Sequence, residues 1–382
     1  MGRVFIQAYC EYPHGGALAN FIQNLTKAIL CSGYEVILLT DINKEYTFSD
    51  IVLANSQITV IPIMASEDAE ICRKQKQTGF CDERIGALKK YKISQEDRVM
   101  IFWIKSEYFL ERLFELEKEI GFKSICGVLE LYNVEDYKNE EKFKKDVHIE
   151  REVYLGADAI LAVSEYVCKY YMAKGMPSYC FPPMVDSNEY PIKHKQVDKY
   201  KFIIPSQKDS VKSMLMAFLS LPDTDCHNIE LHLCGINEVN VREMLSETDW
   251  DRLMQFSIIH SWLKYDELIE LYQQMHFILV ARHECQRTLA NFPSKIPEAM
   301  IYGVVPIASD VGDYTKYYLQ DGYDSIFIQG DSQDNIRKAL IRAISLDDKE
   351  YIDYMENAKN TAGTKFDYRI WVPKIGEMLK SV

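Results

Sequence analysis

The sequence lacks any apolar run long enough to cross a bilayer, and it opens on the strand-like segment MGRVFIQAYC without a signal peptide. It also lacks CxxC pairs: its 10 cysteines stand singly in mostly apolar segments and show no ligand-like spacing with histidine. These absences argue against an integral membrane protein, a disulfide scaffold and a zinc site. They predict a cytoplasmic protein whose cysteines are reduced and buried.

Excess positive charge is missing as well. The formal net charge of −13 argues against a nucleic-acid partner, because phosphate contacts require a basic face. The exception is segment 72–92, which is either a solvated charged face or a contact for an anionic membrane surface. Its basic residues are Arg73, Lys74, Lys76, Arg84, Lys89, Lys90 and Lys92.

What is present is a regular alternation of strand-like and helix-like segments along 382 residues. A chain of this length suits two domains, and the alternation is typical of parallel sheets covered by helices on both faces. We therefore predict two tandem Rossmann-like, doubly wound α/β domains, 1–187 and 188–365, that face a cleft. Such sheets bind ligands at the carboxyl ends of their strands. The predicted strands are Val4–Tyr9, Val36–Thr40, Ile58–Pro62, Val99–Trp103, Ser124–Leu129, Ala159–Val163, Ser178–Phe181, Phe202–Ile204, Ile229–Cys234, Phe256–His260, Phe277–Ala281, Val304–Ala308 and Ser325–Ile328.

Phosphate-binding fingerprints are absent: the sequence contains neither GxxxxGK[ST] nor GxGxxG. Gly15 and Gly16, however, separate the first strand from the first helix, where bare backbone can approach an anionic ligand. A tight turn without a ligand explains the same glycines. The Asp-x-Asp triplet at 223–225 lies beside Pro222 at a helix end, which favours turn chemistry over metal binding, so no metal is expected.

Two cations follow strands of the second predicted sheet. Lys208 comes just after the first strand, and Arg282 just after the fourth. Both therefore point to the carboxyl edge of one sheet, where two fixed cations can neutralise a diphosphate and stabilise it as a leaving group. Chance surface placement explains either residue taken alone.

The stretch ANFPSKIPEAMIYGVVPIASD, residues 290–310, adds a helix start before a strand. Pro293 presets the turn, Ser294 can cap the helix, and nearby amides are available to an oxyanion. Glu298, one turn later, can accept hydrogen bonds from two neighbouring hydroxyls, as on a ribose. The alternative is an ordinary capping-box carboxylate.

Three segments together resemble family 4 of the glycosyltransferases, retaining enzymes with the two-domain GT-B fold. They are GGALANFIQNLTKAILCSGYEVILLT, GADAILAVSEYVCKYYMAKGMPSYCFPPMVD and FPSKIPEAMIYGVVPIASDVGDY, of which the last is the most specific. The resemblance spans nearly the whole chain. ICGVLELYN, IPSQKDS and FPSK further resemble a subgroup from bacterial polysaccharide gene clusters.

The resemblance implies transfer of a hexose from a nucleotide sugar to a glycan or lipid-linked hydroxyl, with retention and without a metal or other cofactor. It places the work in capsular or surface polysaccharide assembly, on the inner membrane face. Helix 366–382 would pack back on the first domain. The implied roles are diphosphate binding for Lys208 and Arg282, ribose binding for Glu298, phosphate and hexose binding for Phe292, Pro293, Ser294 and Lys295, and cleft-facing backbone for Gly15 and Gly16.

The sequence departs from the family pattern at several positions. Ala290 replaces the first carboxylate of Glu-x7-Glu, and Asn291 replaces a glycine. Where many members carry an active-site histidine, the segment 128–131 offers Glu130, a candidate for orienting the acceptor hydroxyl. Ser206 and Gln207 fill the turn that often holds an arginine before the lysine.

Two alternatives follow. A non-catalytic sugar-binding partner of the same fold would suit these departures. A nucleotide-sugar epimerase of the same fold is the other, although no pair of carboxylates is placed for it.

Overall fold

The computed structural model describes residues 2–14, 16–42, 58–137, 139–188, 199–205 and 208–382, with backbone alone for 42 and 208–210. The described chain divides into two compact units. The first unit comprises Met1–Met184 and Tyr368–Val382, and the second comprises Val185–Asp367. Each has its own sheet and its own hydrophobic core.

The first unit is built on a parallel sheet in the order β3-β2-β1-β4-β5-β6-β7. Its strands are nearly continuous apolar runs, as expected for a sheet buried on both faces. They are β1 (Arg3–Tyr12), β2 (Glu35–Ile42), β3 (Ile58–Pro62), β4 (Arg98–Phe102), β5 (Lys123–Val128), β6 (Ala159–Ala162) and β7 (Ser178–Cys180). The helices are α1 (Ala17–Cys31), α2 (Ala69–Thr78), α3 (Cys81–Lys90), α4 (Glu107–Ile120), α5 (Glu140–Arg151) and α6 (Glu165–Met172), with short 3-10 turns at Val134–Asp136 and Val153–Gly156.

The second unit has a parallel sheet in the order β10-β9-β8-β11-β12-β13. Its strands are β8 (Tyr200–Pro205), β9 (Ile229–Cys234), β10 (Ser257–His260), β11 (Phe277–Val280), β12 (Val305–Ser309) and β13 (Ile326–Ile328). Its helices are α7 (Lys208–Leu219), α8 (Asp223–Cys226), α9 (Glu238–Arg242), α10 (Glu247–Leu253), α11 (Tyr265–Tyr272), α12 (Gln286–Ala290), α13 (Lys295–Met300), α14 (Gln333–Ile344) and α15 (Asp348–Thr361), with π turns at Tyr314–Tyr318 and Ala362–Phe366.

The last helix, α16 (Tyr368–Ser381), belongs to the first unit although it follows the second unit in the sequence. It packs against α1, and Ile375, Met378 and Leu379 are fully buried there. Phe366, predicted to dock with this helix, instead stacks on Tyr318 at 5.1 Å inside the second unit. The docking surface therefore begins at Tyr368.

The order of strands places a switch point in each sheet. In the first sheet the chain moves outward in both directions from β1 and β4, and in the second from β8 and β11. Loops at the carboxyl ends of these two central strands diverge, which opens a crevice at that edge. The fold class predicted from the alternating pattern is confirmed.

Candidate functional site

A candidate site lies at the carboxyl edge of the second sheet. β8 ends at Pro205 and β11 at Val280, side by side at the switch point. α7 begins at Lys208 directly after β8, and Arg282 follows β11. The backbone thus brings both predicted cations to the same edge. The side chain of Lys208 lies outside the described residues.

Arg282 is held by hydrogen bonds from two directions. Its amide donates to Ser309 Oγ at 2.9 Å, at the end of β12, and its Nη2 donates to Asn291 Oδ1 at 2.8 Å. Tyr314 reinforces this corner by donating its hydroxyl to the Ser309 carbonyl at 2.8 Å. The guanidinium is therefore positioned before any ligand arrives, which reduces the ordering cost of binding.

Lys295 is the second cation at this edge. Its Nζ donates to the carbonyl of Pro205, the last residue of β8. Burial lowers the pKa of Lys295; the charges of Glu298 and Cys234 oppose this effect, and that of Arg282 adds to it. Two cations that repel each other in a half-buried place are stabilised when an anion binds near them.

Glu298 lies one turn beyond Lys295 on α13 and is half-buried. The charge of Glu298 partly offsets the burial that lowers the pKa of Lys295, and it adds to the burial that raises the pKa of Tyr272. The carboxylate is thus close to Lys295. An acidic group beside two cations suits a ligand that carries both an anion and hydroxyls.

The start of α13 differs from its sequence-based prediction. Ser294 already has helical angles, φ −54° and ψ −26°, and its side chain makes no cap hydrogen bond. The predicted capping role of Ser294 is therefore wrong, because Pro293 starts the helical turn one residue earlier: its carbonyl accepts from the Ile296 amide at 3.0 Å. The capping-box alternative for Glu298 fails for the same reason.

Phe292 is 4% exposed, and its ring packs against Tyr314, Tyr318 and Phe366 at centroid distances of 5.5 to 5.9 Å. Pro293 is buried beside it. These two residues support the segment from inside the second unit. The aromatic cluster anchors the segment that leads into α13, the helix that carries Lys295 and Glu298.

The remaining predicted site residues belong to the first unit. Gly15 lies outside the described residues. Gly16 precedes α1 with φ 115°, is exposed, and has no heavy atom within 4 Å of the position of an added Cβ, so the space above it is open. Glu130 follows β5 and is half-buried. Burial, then Asp146 and Glu150, and to a smaller extent Glu130, raise the pKa of Tyr137.

The first unit also contains a cavity that the sequence did not indicate. It has a volume of about 710 Å³ and is lined by Trp103 and Lys105 after β4, by Tyr132 and Tyr137 after β5, and by residues of α2, α3 and α5. The only local signal was the run FWIKS, where an aromatic residue and a lysine follow an apolar strand.

Segment 72–92 is only partly the charged face that was predicted. Arg84 is fully buried, and its guanidinium donates to the carbonyls of Gly79 at 3.1 Å and Ala8 at 2.8 Å and to Gln7 Oε1 at 3.1 Å. Arg84 therefore stabilises the fold and does not contribute to a basic surface. The other basic residues, Arg73, Lys74, Lys76, Lys89, Lys90 and Lys92, are exposed.

The described ranges contain no cluster of three His, Cys, Asp or Glu side chains that could hold a metal ion. His232, for example, stacks on His260 and forms a hydrogen bond with Glu230 at 2.8 Å. Among the described helices, none has the length and hydropathy needed to traverse a bilayer. Asp223, in the Asp-x-Asp triplet, pairs with Arg252 at 2.7 Å.

Residues 193–361 match the model of the family described as glycosyl transferases group 1. A comparison with curated proteins finds no match.

Solved structures resemble the whole chain. Sucrose-phosphate synthase from Thermosynechococcus elongatus has a TM-score of 0.74 at 13% identity, with 99% of each chain covered. HepE from Anabaena, solved with UDP and glucose, has a TM-score of 0.70 at 13% identity and 100% coverage of both chains. WaaG, a glycosyltransferase involved in lipopolysaccharide biosynthesis, has a TM-score of 0.67 at 14% identity, over 99% of this chain and all of that one.

At these identities the likeness establishes the fold. The chain has the GT-B fold of these glycosyltransferases, and its residues 193–361 match glycosyl transferases group 1.

Proposed function

We propose that this protein is a retaining, metal-independent glycosyltransferase. It moves a hexose from a nucleoside diphosphate sugar to a hydroxyl of a glycan or lipid-linked acceptor, in the assembly of a bacterial capsular or surface polysaccharide. The family match over 193–361 supports the transferase class. Structures of HepE with UDP and with UDP-glucose support a nucleotide-sugar donor, and the role of WaaG in lipopolysaccharide biosynthesis supports the pathway.

One observation carries the proposal. Arg282 and Lys295 converge at the carboxyl edge of the second sheet, at its switch point, with Glu298 one turn away. A diphosphate placed there neutralises two cations that otherwise repel each other, while the carboxylate is positioned for the hydroxyls of the attached ribose. The arrangement matches a nucleotide better than a neutral sugar.

The mechanism follows from the charges. Lys208, Arg282 and Lys295 stabilise the negative charge that builds on the diphosphate as the anomeric bond breaks, and this stabilisation is strongest in the transition state. The leaving diphosphate helps to remove the proton of the acceptor hydroxyl on the same face, so no enzyme nucleophile is required. Glu130 is the candidate residue for orienting the acceptor hydroxyl.

The first prediction tests the donor site. Arg282→Gln should weaken binding of the preferred nucleoside diphosphate about 10- to 100-fold, because a charge-assisted hydrogen bond contributes about 1.5–3 kcal/mol. Titration calorimetry with UDP, GDP, ADP and their sugars measures the change. Arg342→Gln is the matched control, since Arg342 pairs with Asp321 at 3.0 Å elsewhere on the same unit.

Equal nucleotide affinity in the Arg282 variant and the wild type would contradict the proposed donor site. So would the absence of binding by every nucleotide in the panel. Lys208→Ala extends the test to the predicted partner cation, whose loss should lower both affinity and turnover.

A non-catalytic role remains the second candidate, favoured by the departures at Ala290 and Glu130 from the family pattern. It predicts nucleotide binding of the same strength with no release of free sugar and no transfer to any acceptor. Slow hydrolysis of one nucleotide sugar, abolished by Lys208→Ala, decides for the enzyme.

We also propose that the protein works on the cytoplasmic side, at an anionic membrane surface contacted by segment 72–92. Helix α2, which enters this segment, buries none of its residues, and Ile71, just before the segment, is 53% exposed and is followed by Arg73 and Lys74. An exposed apolar residue followed by cations suits a peripheral membrane contact.

A further inference from the structure

The cavity of the first unit lies at the switch point of its sheet. Its walls come from the segment after β4, the segment after β5, and helices α2, α3 and α5. A volume of about 710 Å³ is in the range of sites that hold small organic ligands. All of these elements belong to one compact unit.

Two exposed aromatic side chains on or directly after the central strands line this cavity. Tyr9 on β1 is 47% exposed, and Trp103 directly after β4 is 41% exposed. Ala8 pairs with Phe102 in the sheet, so Tyr9 and Trp103 are the next neighbours along that register. Trp103 has φ 57°, a left-handed conformation that few non-glycine residues adopt. Two exposed aromatic faces in one cavity suit a ligand with an apolar face, such as a sugar ring.

Some of the lysines on the cavity wall form ion pairs, and others do not. Lys105 is compensated by Glu150 at 2.7 Å and Asp146 at 3.7 Å, and it lies over the Tyr132 ring at 5.0 Å. Lys142 and Lys145 are exposed, lie one turn apart on one face of α5, and pair with no carboxylate among the described residues. These two lysines therefore add positive charge to the cavity wall.

The floor of the cavity is rigid. Arg84 is bonded to Gly79, Ala8 and Gln7, which ties the junction of α2 and α3 to β1. Gly79 has φ 65°, and an added Cβ there would lie 2.7 Å from the Ser106 Cβ. This side of the cavity is therefore held in place by contacts within the protein, which favours specific recognition over a loose charged surface.

We propose that this cavity binds an anionic sugar: the ring stacks on Trp103 and Tyr9, and its phosphoryl or carboxylate group is neutralised by Lys142 and Lys145. The inference rests on the proposed function in one respect, since a transferase needs an acceptor and this ligand would be the charged part of it. The binding site itself is argued from the cavity alone.

The test uses three probes with the full-length chain: glucose 1-phosphate, glucuronate and methyl α-glucoside. Tryptophan fluorescence and titration calorimetry measure their affinities. One or both anionic probes should bind at least about tenfold more tightly than the neutral glucoside, because two charge-assisted contacts are added. A preference for glucose 1-phosphate assigns a phosphoryl acceptor, and a preference for glucuronate assigns a carboxylate acceptor.

Variants connect the binding to the named residues. Lys142→Gln with Lys145→Gln should remove the preference for the anionic probe, whereas Lys118→Gln with Lys169→Gln, two exposed lysines on α4 and α6, should leave it unchanged. Trp103→Phe should weaken all probes that bind, with the melting temperature recorded to confirm folding. Equal binding of all three probes, no binding of either anion, or an unchanged preference in the Lys142 and Lys145 variant overturns the proposal.

Nucleotide binding measured on the same variants separates this inference from the proposed function. The Lys142 and Lys145 variant should bind nucleoside diphosphates as the wild type does. Loss of the donor site with a retained anionic-sugar site would contradict the proposed function and leave the cavity assignment standing.

Discussion

Two neighbouring carboxyl groups in the first unit show how single residues couple the fold to pH. Glu117 accepts from the Ser124 amide at 3.0 Å and from its hydroxyl at 2.7 Å, and Asp158 accepts from the same amide at 2.9 Å. Burial, and then the Asp158 carboxylate, raise the pKa of Glu117 to about 8. For Asp158, burial acts upward but hydrogen bonds from Glu117, Lys123 and Ser124 prevail, and its pKa is lowered. The pair therefore shares one proton.

This pair predicts a pH effect on stability. Folded Glu117 keeps its proton up to about pH 8, while in the unfolded chain it loses the proton near 4.5, so the folded chain binds more protons in that window. Its contribution to the free energy of unfolding is fully present below about pH 4.5 and is lost as the pH rises through about 8. Glu117→Gln should therefore lose less stability than the wild type between about pH 5 and 8.5, measured by urea unfolding.

Glu115→Gln is the control, because Glu115 lies on the same helix with 59% of its side chain exposed and should leave the pH profile unchanged. Identical profiles for the Glu117 variant and the wild type would contradict the shared proton.

Among the secondary-structure elements, α16 is a clear case of a helix that contributes to the stability of the fold through its buried face. Ser32 donates its hydroxyl to the Val372 carbonyl at 3.1 Å, Arg98 Nε donates to the Leu379 carbonyl at 3.1 Å, and Trp371 packs on Phe181 at 6.0 Å. These contacts join α16 to α1, β4 and the segment after β7. The helix covers the side of the first unit that α1 alone leaves open.

Ile375→Ala should therefore lower the free energy of unfolding by about 2–5 kcal/mol, because it removes a fully buried side chain between α16 and α1. Ile370→Ala on the same helix, at 44% exposure, should cost less than about 0.5 kcal/mol. Chemical denaturation followed by circular dichroism measures both. Similar losses for the two variants would show that α16 is not packed as described.

The elements themselves could be predicted from the sequence, because apolar runs between glycine and polar turns determine them locally. The expected strands match the observed ones within three residues at each end, as at Ile229–Cys234, where the bounds coincide. The directions of several charged side chains could not be predicted. Arg84 bonds Gln7 across 77 positions, and Lys295 bonds Pro205 across 90. Such contacts depend on tertiary packing, which no local pattern contains.

The candidate site was predictable to the same extent. The positions of Lys208 and Arg282 at one sheet edge followed from strand order, since carboxyl ends of parallel strands share an edge. The burial of Phe292 did not, because it depends on aromatic contacts with Tyr314, Tyr318 and Phe366. Nor did the helical state of Ser294, because the helical turn begins one residue earlier, at Pro293.

For the whole molecule, the net charge of −13 would repel an anionic membrane, so segment 72–92 must act locally if it binds one. Arg73→Glu with Lys74→Glu should reduce sedimentation with phosphatidylglycerol vesicles at least about tenfold, because each cation near such a surface contributes about 1 kcal/mol. Lys118→Glu with Lys349→Glu, which reverses two exposed charges elsewhere, is the control.

Binding that is equal for anionic and for phosphatidylcholine vesicles, or that is unaffected by the α2 variant, would argue against this surface. Salt should weaken the wild-type interaction, since exposed charges are screened at higher ionic strength.

The return of the chain to its first unit has a consequence for biosynthesis. A ribosome produces α16 after every residue of the second unit, so the nascent first unit must wait for Ile375, Met378 and Leu379 with the matching face of α1 uncovered. During that interval the growing polypeptide presents an apolar surface that chaperones can bind, and the first unit completes its core only when translation is nearly finished.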